Sequence, residues 1–380
     1  MHIVVIGAGS IGSHIAYRLA KEGADVTVVD AGDPGQGTSA VSFAWLSSFP
    51  QVTWTEEPGR AKLRLGVHDV YRELEAELAT DTVSWTGTLT VAEAHEAEDL
   101  MQRAEVARTK GIDVVHLTPD QVREIEPHLE LNADQIAFLE SGSGWVDAPR
   151  LIRTLLTRAQ GLGARVLSKT AVAAIETSAE RVRAVHTTLG ERIGADAVVN
   201  CAGSWGTHVA ALAGLTIPLQ LLPGRIITTE PLPKRVTPQH IISTPSWQIR
   251  PAPGGRLALN GRGSAAAGEA VNIGRSGDLA AGVAQYLPAL RDLPIATSRI
   301  GIRPVPPGGP IVGALPWLPN FYSVLSHGGI GWAPVWAQFT ARELLAGEVV
   351  EELAAMRPDR FHRSPGQFGR YADDAEQTLP

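Results

Sequence analysis

The first thirty residues constrain this 380-residue chain more than any other stretch. His2 to Ile6 is a continuous apolar run of strand type that stops at Gly7-Ala8-Gly9-Ser10-Ile11-Gly12. Ser13 to Lys21 has helical character, Gly23 closes it, and Asp25 to Asp30 reads as a second buried strand. The order predicts a βαβ unit with G-x-G-x-x-G at the strand-to-helix junction, the context in which those glycines bind a dinucleotide. Gly7 allows the tight turn, Gly9 lets backbone approach a pyrophosphate, and Gly12 lets the helix pack closely on the strand. The N–H groups of Ser10 and Ile11 then open a helix N-terminus suited to phosphate. Asp30, 21 residues beyond Gly9, ends the second strand where a carboxylate accepts hydrogen bonds from an adenosine ribose. An acid there favours NAD or FAD over NADP, and the motif does not separate the first two.

Composition sets the frame. Hydrophobic residues make up 44% and charged residues 19%, enough apolar material for a large core, and the length suits two domains. No run of 18 apolar residues predicts a membrane span. The net charge of −7, without a basic block, disfavours nucleic acid as a partner. A single cysteine, Cys201, excludes an internal disulfide framework and a multi-cysteine metal site. The chain opens directly on strand residues with no charged leader, so a cytoplasmic location is expected.

Two further segments bear on the cofactor. Val166-Leu167, Val172 to Thr177 and Val182 to Thr188 read as a three-strand meander. It leads to the strand Asp196 to Ala202, which ends at Gly203-Ser204-Trp205-Gly206. Near the C-terminus, Phe321 to Ser326 is a strand entering His327-Gly328-Gly329-Ile330-Gly331-Trp332, with a helix expected from about Ala333 to Leu345. A second helix N-terminus there suits a group that becomes negative, such as the N1–C2=O edge of a reduced flavin.

These residues resemble the D-amino-acid oxidase, glycine oxidase and sarcosine oxidase family of FAD-dependent oxidoreductases. The matching stretches are Gly7 to Gly12 with Asp30, Gly37-Thr38-Ser39, Gly144 to Pro149, Val198 to Gly203, Gly301-Ile302-Arg303-Pro304 and His327 to Gly331, in the family's order. The resemblance implies an α/β (α+β) fold: a Rossmann-like FAD-binding domain at 1–50, 145–225 and 300–346, and a discontinuous antiparallel-sheet substrate domain at 51–144 and 226–299. Residues 347–380 form a polar, peripheral tail in this reading. Strands are expected at Ile217 to Thr229, Ile241 to Arg250 and Arg256 to Gly261, a surface helix at Ala97 to Lys110, and a loop at 303–319. Asp147 ahead of Pro149 reads as a helix N-cap. The FAD contacts implied are Gly7, Gly9, Ser10, Ile11, Gly12 and Asp30, then Thr38, Ser39, Ser42, Ala44 and Val172. Cys201, Ala202, Gly203 and Trp205 follow, and last Arg303 with His327, Gly328, Gly329, Ile330, Gly331 and Trp332.

The implied chemistry is hydride transfer from the carbon beside an amine nitrogen to flavin N5, giving an imine. Arg303 matches the family arginine that grips a substrate carboxylate, a task suited to the planar guanidinium fork. Gln248 falls where glycine oxidase has a tyrosine that helps hold substrate. Arg250 shares its strand face, as a second anion contact or a solvent-facing charge. Trp45 is the tryptophan best placed along the flavin, ahead of Trp247 and Trp332. His327 belongs to the glycine turn, a backbone-positioning role ahead of a general base. No cysteine lies beside Arg303, so the FAD is expected to be non-covalent. The lysine that helps some members activate oxygen corresponds to Ala258, so oxygen and another electron acceptor both stay open. An NAD-linked dehydrogenase and a non-catalytic flavin-bound subunit are the alternative readings.

Overall fold

The computed structural model describes residues 1–49, 63, 66–261 and 276–361. The chain divides into two compact units: Met1–Thr38, Ile152–Leu221 and Arg303–Pro380 form the first, and Ser39–Leu151 with Leu222–Ile302 the second. The boundaries expected from sequence lie at 50, 145, 225 and 300. Strands and helices are numbered below along the whole chain.

The first unit is built on a six-stranded sheet of order β19-β20-β13-β1-β2-β9. Its members are β1 (His2–Ile6), β2 (Asp25–Val29), β9 (Arg165–Leu167), β13 (Ala197–Asn200), β19 (Ile311–Leu315) and β20 (Leu318–Leu325). All pairs are parallel except β19 with β20. Helix α1 (Ser10–Lys21) crosses over from β1 to β2, and α5 (Ala148–Gly161) leads into β9. Central strands of a parallel sheet are covered on both faces and are therefore nearly all apolar. Ile3, Val4 and Val5 of β1 and Val198 and Val199 of β13 accordingly have no solvent exposure. Val4, Ile6, Val29, Val198, Phe321 and Leu325 share one core cluster. A separate three-stranded sheet comprises β10 (Val172–Ser178), β11 (Arg181–Thr187) and β12 (Arg192–Gly194). The short helix α6 (Gly206–Leu212) follows β13, and the long helix α8 (Gly329–Ala346) follows β20.

The second unit carries an eight-stranded sheet of order β18-β14-β17-β16-β15-β5-β7-β6. These strands are β5 (Thr88–Ala92), β6 (Val114–Leu117), β7 (Ile136–Glu140), β14 (Gln220–Thr229), β15 (Ile241–Ser243), β16 (Trp247–Ala252), β17 (Arg256–Gly261) and β18 (Ile295–Val305). From β14 to β6 the pairs are antiparallel apart from the parallel pair β15 and β5. A small sheet joins β3 (Trp45–Leu46), β8 (Gly144–Val146) and β4 (Val83–Ser84). Helices α2 (Val67–Leu78), α3 (Ala97–Thr109), α4 (Pro119–Ile125) and α7 (Ser276–Tyr286) complete the unit. The large sheet has two chemically different faces. Leu89, Ile242, Trp247, Ile249, Leu257, Leu259 and Ile227 point into a dry core with Tyr286 and Leu287. Their strand neighbours on the opposite face include Thr88, Thr90, Ser243, Gln248, Arg250, Asn260 and Thr228.

Four expectations are corrected. The strand at 165–167 is not part of the meander: after the α5 crossover it pairs parallel with β2, and Arg192–Gly194 supplies the third meander strand. The expected strand Ile241 to Arg250 is a hairpin. Thr244 N–H and Oγ1 both bond the Trp247 carbonyl, closing a turn around Pro245. The stretch 303–319 is mostly strand, because its prolines and glycines are concentrated at 306–310 while Ile311–Leu315 is an apolar run paired with β20. The described part of the tail is not peripheral. Val350, Leu353 and Met356 are buried, Tyr322 donates to Glu343, and Arg357 holds the same carboxylate at 2.7 Å.

The expected N-cap is found: Arg150 N–H donates to Asp147 Oδ1 at 3.2 Å, ahead of α5. Helix α8 begins four residues earlier than expected, at Gly329, because Gly328 takes a left-handed conformation (φ +72°) that ends β20 and starts the helix at once.

Candidate active site

In the first unit, β1 delivers the chain to a turn at Gly7, φ +104°, where a Cβ would lie 2.5 Å from the Cys201 carbonyl oxygen. A Cβ on Gly12 would fall onto the Gly7 carbonyl oxygen. Those two glycines are demanded by the protein's own backbone. Gly9 is different: at φ −77°, ψ −169° its conformation is open to any residue. Gly9 is the N-cap of α1 and no side chain caps the helix, which leaves its first N–H groups to a ligand.

Asp30 organises the same turn. One carboxylate oxygen accepts from Ala8 N–H at 2.6 Å and the other from Gly32 N–H at 2.8 Å. Burial pushes its pKa above the ordinary value, while those two N–H groups pull the other way. Thr170 N–H bonds the Asp30 carbonyl at 2.8 Å, which sets the start of β10, with Val172, beside the Asp30 loop. Cys201, Ala202 and Gly203 lie at the end of β13, next to β1. Cys201 is buried and its thiol pKa is raised by burial. Trp205 exposes 68% of its surface.

The second junction lies against the first. Helix α8 also lacks a side-chain cap, and a Cβ on Gly329 would meet the Ile11 side chain of α1 at 3.1 Å. Two uncapped helix N-termini thus adjoin, and their partial positive charges add. Ile330 is buried beneath the junction, Gly331 lies in the first turn, and Trp332 stacks on Trp336 at 5.3 Å between ring centroids. His327 precedes the turn. The protein packed around its ring, and after it the charge on Arg303, lower its pKa, although the ring keeps a solvent-accessible edge. Partial burial also lowers the pKa of Arg303.

The residues present fit FAD. Gly9 puts no side chain at the entrance of α1, the helix ends offer positive poles, and Asp30 retains lone pairs for ribose hydroxyls. Sequence reasoning missed that Ala8 N–H and Asp30 brace one another. Only the pairing of β1 with β2 brings them within reach.

In the second unit, Thr38–Val41 forms a 3-10 turn that begins at the unit boundary and contains Ser39. Ser42 Oγ then accepts from Ala44 N–H at 3.1 Å, and Ala44 adopts φ +53°, a left-handed conformation that is strained for a residue with a Cβ. Its carbonyl accepts from Val146 N–H at 3.0 Å, and Trp45 donates its indole N–H to Thr88 Oγ1 at 2.9 Å. Arg250 is 7% exposed, so it is not solvent-facing. Its Nε donates to the Phe43 carbonyl at 2.6 Å and its guanidinium lies 4.4 Å from the Trp145 ring centroid. Burial lowers its pKa to about 10, with Asp147 opposing, so it stays charged at neutral pH. The Phe43 and Trp145 contacts had no signal in the sequence, since those residues lie 207 and about a hundred positions from Arg250.

Gln248 is buried one register pair from Ser243 on one side and Asn260 on the other. Its carboxamide oxygen accepts from Asn260 Nδ2 at 3.2 Å. Asn260 was missed, yet strand alternation puts it on the face of Ala258, a position already singled out. Trp247 points the other way, into the core against Tyr286, while Ala258 is a buried apolar residue opposite Arg250. Among the described residues no cluster of three metal-ligating side chains occurs, and no helix is long and apolar enough to cross a membrane.

Residues 2–344 match the family model described as FAD dependent oxidoreductase (DAO). The chain is 27% identical over 374 residues to an uncharacterized oxidoreductase, YurR, of Bacillus subtilis (strain 168), covering 93% of this chain and 98% of that one. It is 25% identical over 378 residues to the glycine oxidase of Geobacillus kaustophilus (strain HTA426), with 97% of each chain covered. The crystal structure of the glycine oxidase from Geobacillus kaustophilus superposes with a TM-score of 0.83 over 96% of this chain and 99% of that chain. A likeness in fold alone, at 22% identity and a TM-score of 0.79, extends to L-proline dehydrogenase from P. horikoshii over 95% of this chain and 98% of that one. With the glycine turn, the braced Asp30 and the adjoining helix ends in place, this chain belongs to the DAO family and is an FAD-dependent oxidoreductase.

Proposed function

We propose that this enzyme oxidises the C–N bond of an amino acid or N-alkyl amine, with non-covalently held FAD. The observation that carries the reading is the meeting of two uncapped helix N-termini at Ile11 and Gly329, a site whose charge favours an electron-rich ligand. When bound, FAD accepts the hydride lost from the carbon beside nitrogen. The substrate, entering as neutral amine, leaves as an imine and a proton, and water hydrolyses the imine to a carbonyl compound and an amine or ammonia. The protein's own part is to orient the substrate and to exclude water while the C–H bond is aligned.

In this proposal Arg303 takes the substrate carboxylate through a bidentate pair, and Gln248, fixed by Asn260, offers a hydrogen bond to the polar end of the substrate. The Phe43–Trp45 segment is held by Arg250 and Val146. Membership of an FAD family sets aside the NAD-linked alternative. Ala258 offers no cation for oxygen, which favours an acceptor other than oxygen and a dehydrogenase over an oxidase.

The test is an anaerobic titration of the yellow holoenzyme with D-, L- and N-alkyl amino acids. Bleaching of the flavin band by at least one of them is the expected result. Failure of the whole panel, amines included, would make the protein a non-catalytic flavoprotein. Peroxide release in air then separates oxidase from dehydrogenase. Arg303→Ala should weaken a carboxylate substrate by roughly 30-fold or more, from about 2–5 kcal/mol for truncating one partner of an enclosed charge pair. The decarboxylated amine should be unaffected. Equal effects on both would remove Arg303 from the role.

A further inference from the structure

The polar face of the large sheet does not end at Gln248. Its register partners run Gln248 to Asn260 to Ile226, from β16 across β17 onto β14. Ile226 and Thr228 open into a cavity of about 480 Å³ whose far wall is β18, with Thr297 and Arg299. Ala296 reaches the lining too, and from Thr297 onward β18 alternates. Ser298 is turned to the other face, where Arg225 donates to it at 2.6 Å, and Gly301 packs on Val41 of the cavity lining. Arg256 lines the cavity as well, but it is engaged by Glu230 at 3.1 Å and by the Thr229 carbonyl at 2.8 Å. Among the described residues no acidic side chain forms an ion pair with Arg299. Glu230 also lines the cavity, but its charge is matched by Arg256, so Arg299 is the one uncommitted charge among Ala40, Val41, Ile226 and the threonine hydroxyls.

The distance from Gln248 matters. Three strand spacings of about 4.8 Å separate β16 from β18, roughly 14 Å in all, part of which the arginine side chain itself bridges. A substrate the size of glycine or sarcosine, held at Gln248, leaves the cavity unused. A chain of several bonds ending in an anion is long enough to reach it. Arg299 and Arg303 also stand four residues apart on the same strand, and alternate residues of a strand share a face.

We infer that the cavity at Arg299 is a distal subsite, and that the substrate class is an amino acid or N-alkyl amino acid carrying a second carboxylate at the end of its chain. This inference rests on the amine-oxidising reading. The apolar stretch of the lining takes the methylenes, Thr228 and Thr297 offer hydroxyls, and Arg299 pairs with the carboxylate.

Two measurements on the holoenzyme test it. The first compares kcat/KM for acid and amide partners: glutamate with glutamine, 2-aminoadipate with its terminal amide, and N-(2-carboxyethyl)glycine with N-propylglycine, using both enantiomers where they exist. At least one acid should exceed its neutral partner about tenfold or more, the size expected for a charge-assisted hydrogen bond. Arg299→Gln should bring that ratio close to one. Arg225→Gln, on the opposite face, should leave the ratio in place. The second measurement needs no turnover: glutarate and adipate, compared with valerate, are titrated against the flavin absorption spectrum. The dicarboxylates should bind about tenfold tighter, and Arg299→Gln should abolish the difference. Acid-to-amide ratios below about twofold throughout, or a ratio that survives Arg299→Gln, would overturn the subsite. If no amine reduces the flavin, the functional reading fails first, and equal binding of mono- and dicarboxylates would then overturn the subsite separately.

Discussion

Gly9→Val and Gly12→Ala separate what the fold needs from what the ligand needs. At Gly12 a Cβ falls onto the Gly7 carbonyl oxygen, so the β1–α1 turn must open before even alanine fits. Overpacking of that kind costs about 1–3 kcal/mol, and here the obstacle is backbone, which has little room to yield. Gly9 has an ordinary φ of −77°, so a side chain imposes no comparable conformational strain, and the apoprotein should lose well under 1 kcal/mol. Its loss should fall on FAD instead. A side chain at the helix entrance separates the pyrophosphate from the N–H groups of α1. Losing one or two charge-assisted hydrogen bonds at about 1.5–3 kcal/mol each corresponds to roughly a hundredfold in affinity. The assays are urea unfolding of each apoprotein and titration of each with FAD, followed by quenching of flavin fluorescence. Gly12→Ala should shift the unfolding midpoint, and Gly9→Val should shift the FAD dissociation constant. Unchanged FAD affinity in Gly9→Val would refute the phosphate assignment, and an unshifted midpoint in Gly12→Ala would refute the steric argument.

Acid precipitation should release the flavin into the supernatant, because Cys201 is buried with its thiol pKa raised; colour kept in the pellet would point to a covalent link. Arg250→Met should destabilise the protein by roughly 2–4 kcal/mol, because the Phe43 carbonyl loses its donor and Trp145 its cation. A variant of normal stability with a raised KM for carboxylates would make Arg250 a substrate contact instead. His14 is buried on α1, and burial lowers its pKa from 6.5 to about 4. The unfolded chain therefore binds this proton first, so its contribution is complete above pH 6.5 and is lost as pH falls towards 4, about 3 kcal/mol in all. Urea midpoints of wild type and His14→Gln between pH 4.5 and 7.5 should differ in slope, and parallel curves would contradict the shift.

The nucleotide half of this protein was legible because its determinants are local. Gly7, Gly9, Gly12 and Asp30 sit within one βαβ unit, where hydrophobic runs, glycine positions and a strand end all fall in thirty consecutive residues. The junction at His327–Gly331 was legible for the same reason, though its helix began earlier than expected because the left-handed Gly328 starts it without a cap. The meander and the hairpin at Thr244 were misread, since short apolar segments do not declare their partners. Whether Val166 joins β2 or Val172 depends on a crossover helix, and whether Ile241 to Arg250 is one strand or two depends on a turn closed by the N–H and hydroxyl of one threonine.

What only the tertiary structure decided is which distant residues share a surface. Sheet pairing sets Gln248, Asn260, Ile226 and Arg299 on one face although they span more than seventy positions, and it buries Arg250 between Phe43 and Trp145. Strand alternation told which residues lie on the same side of a strand, but not which strands are neighbours. That order is settled by long-range hydrophobic burial over the whole sheet, a sum of many weak contacts with no signature at any one residue.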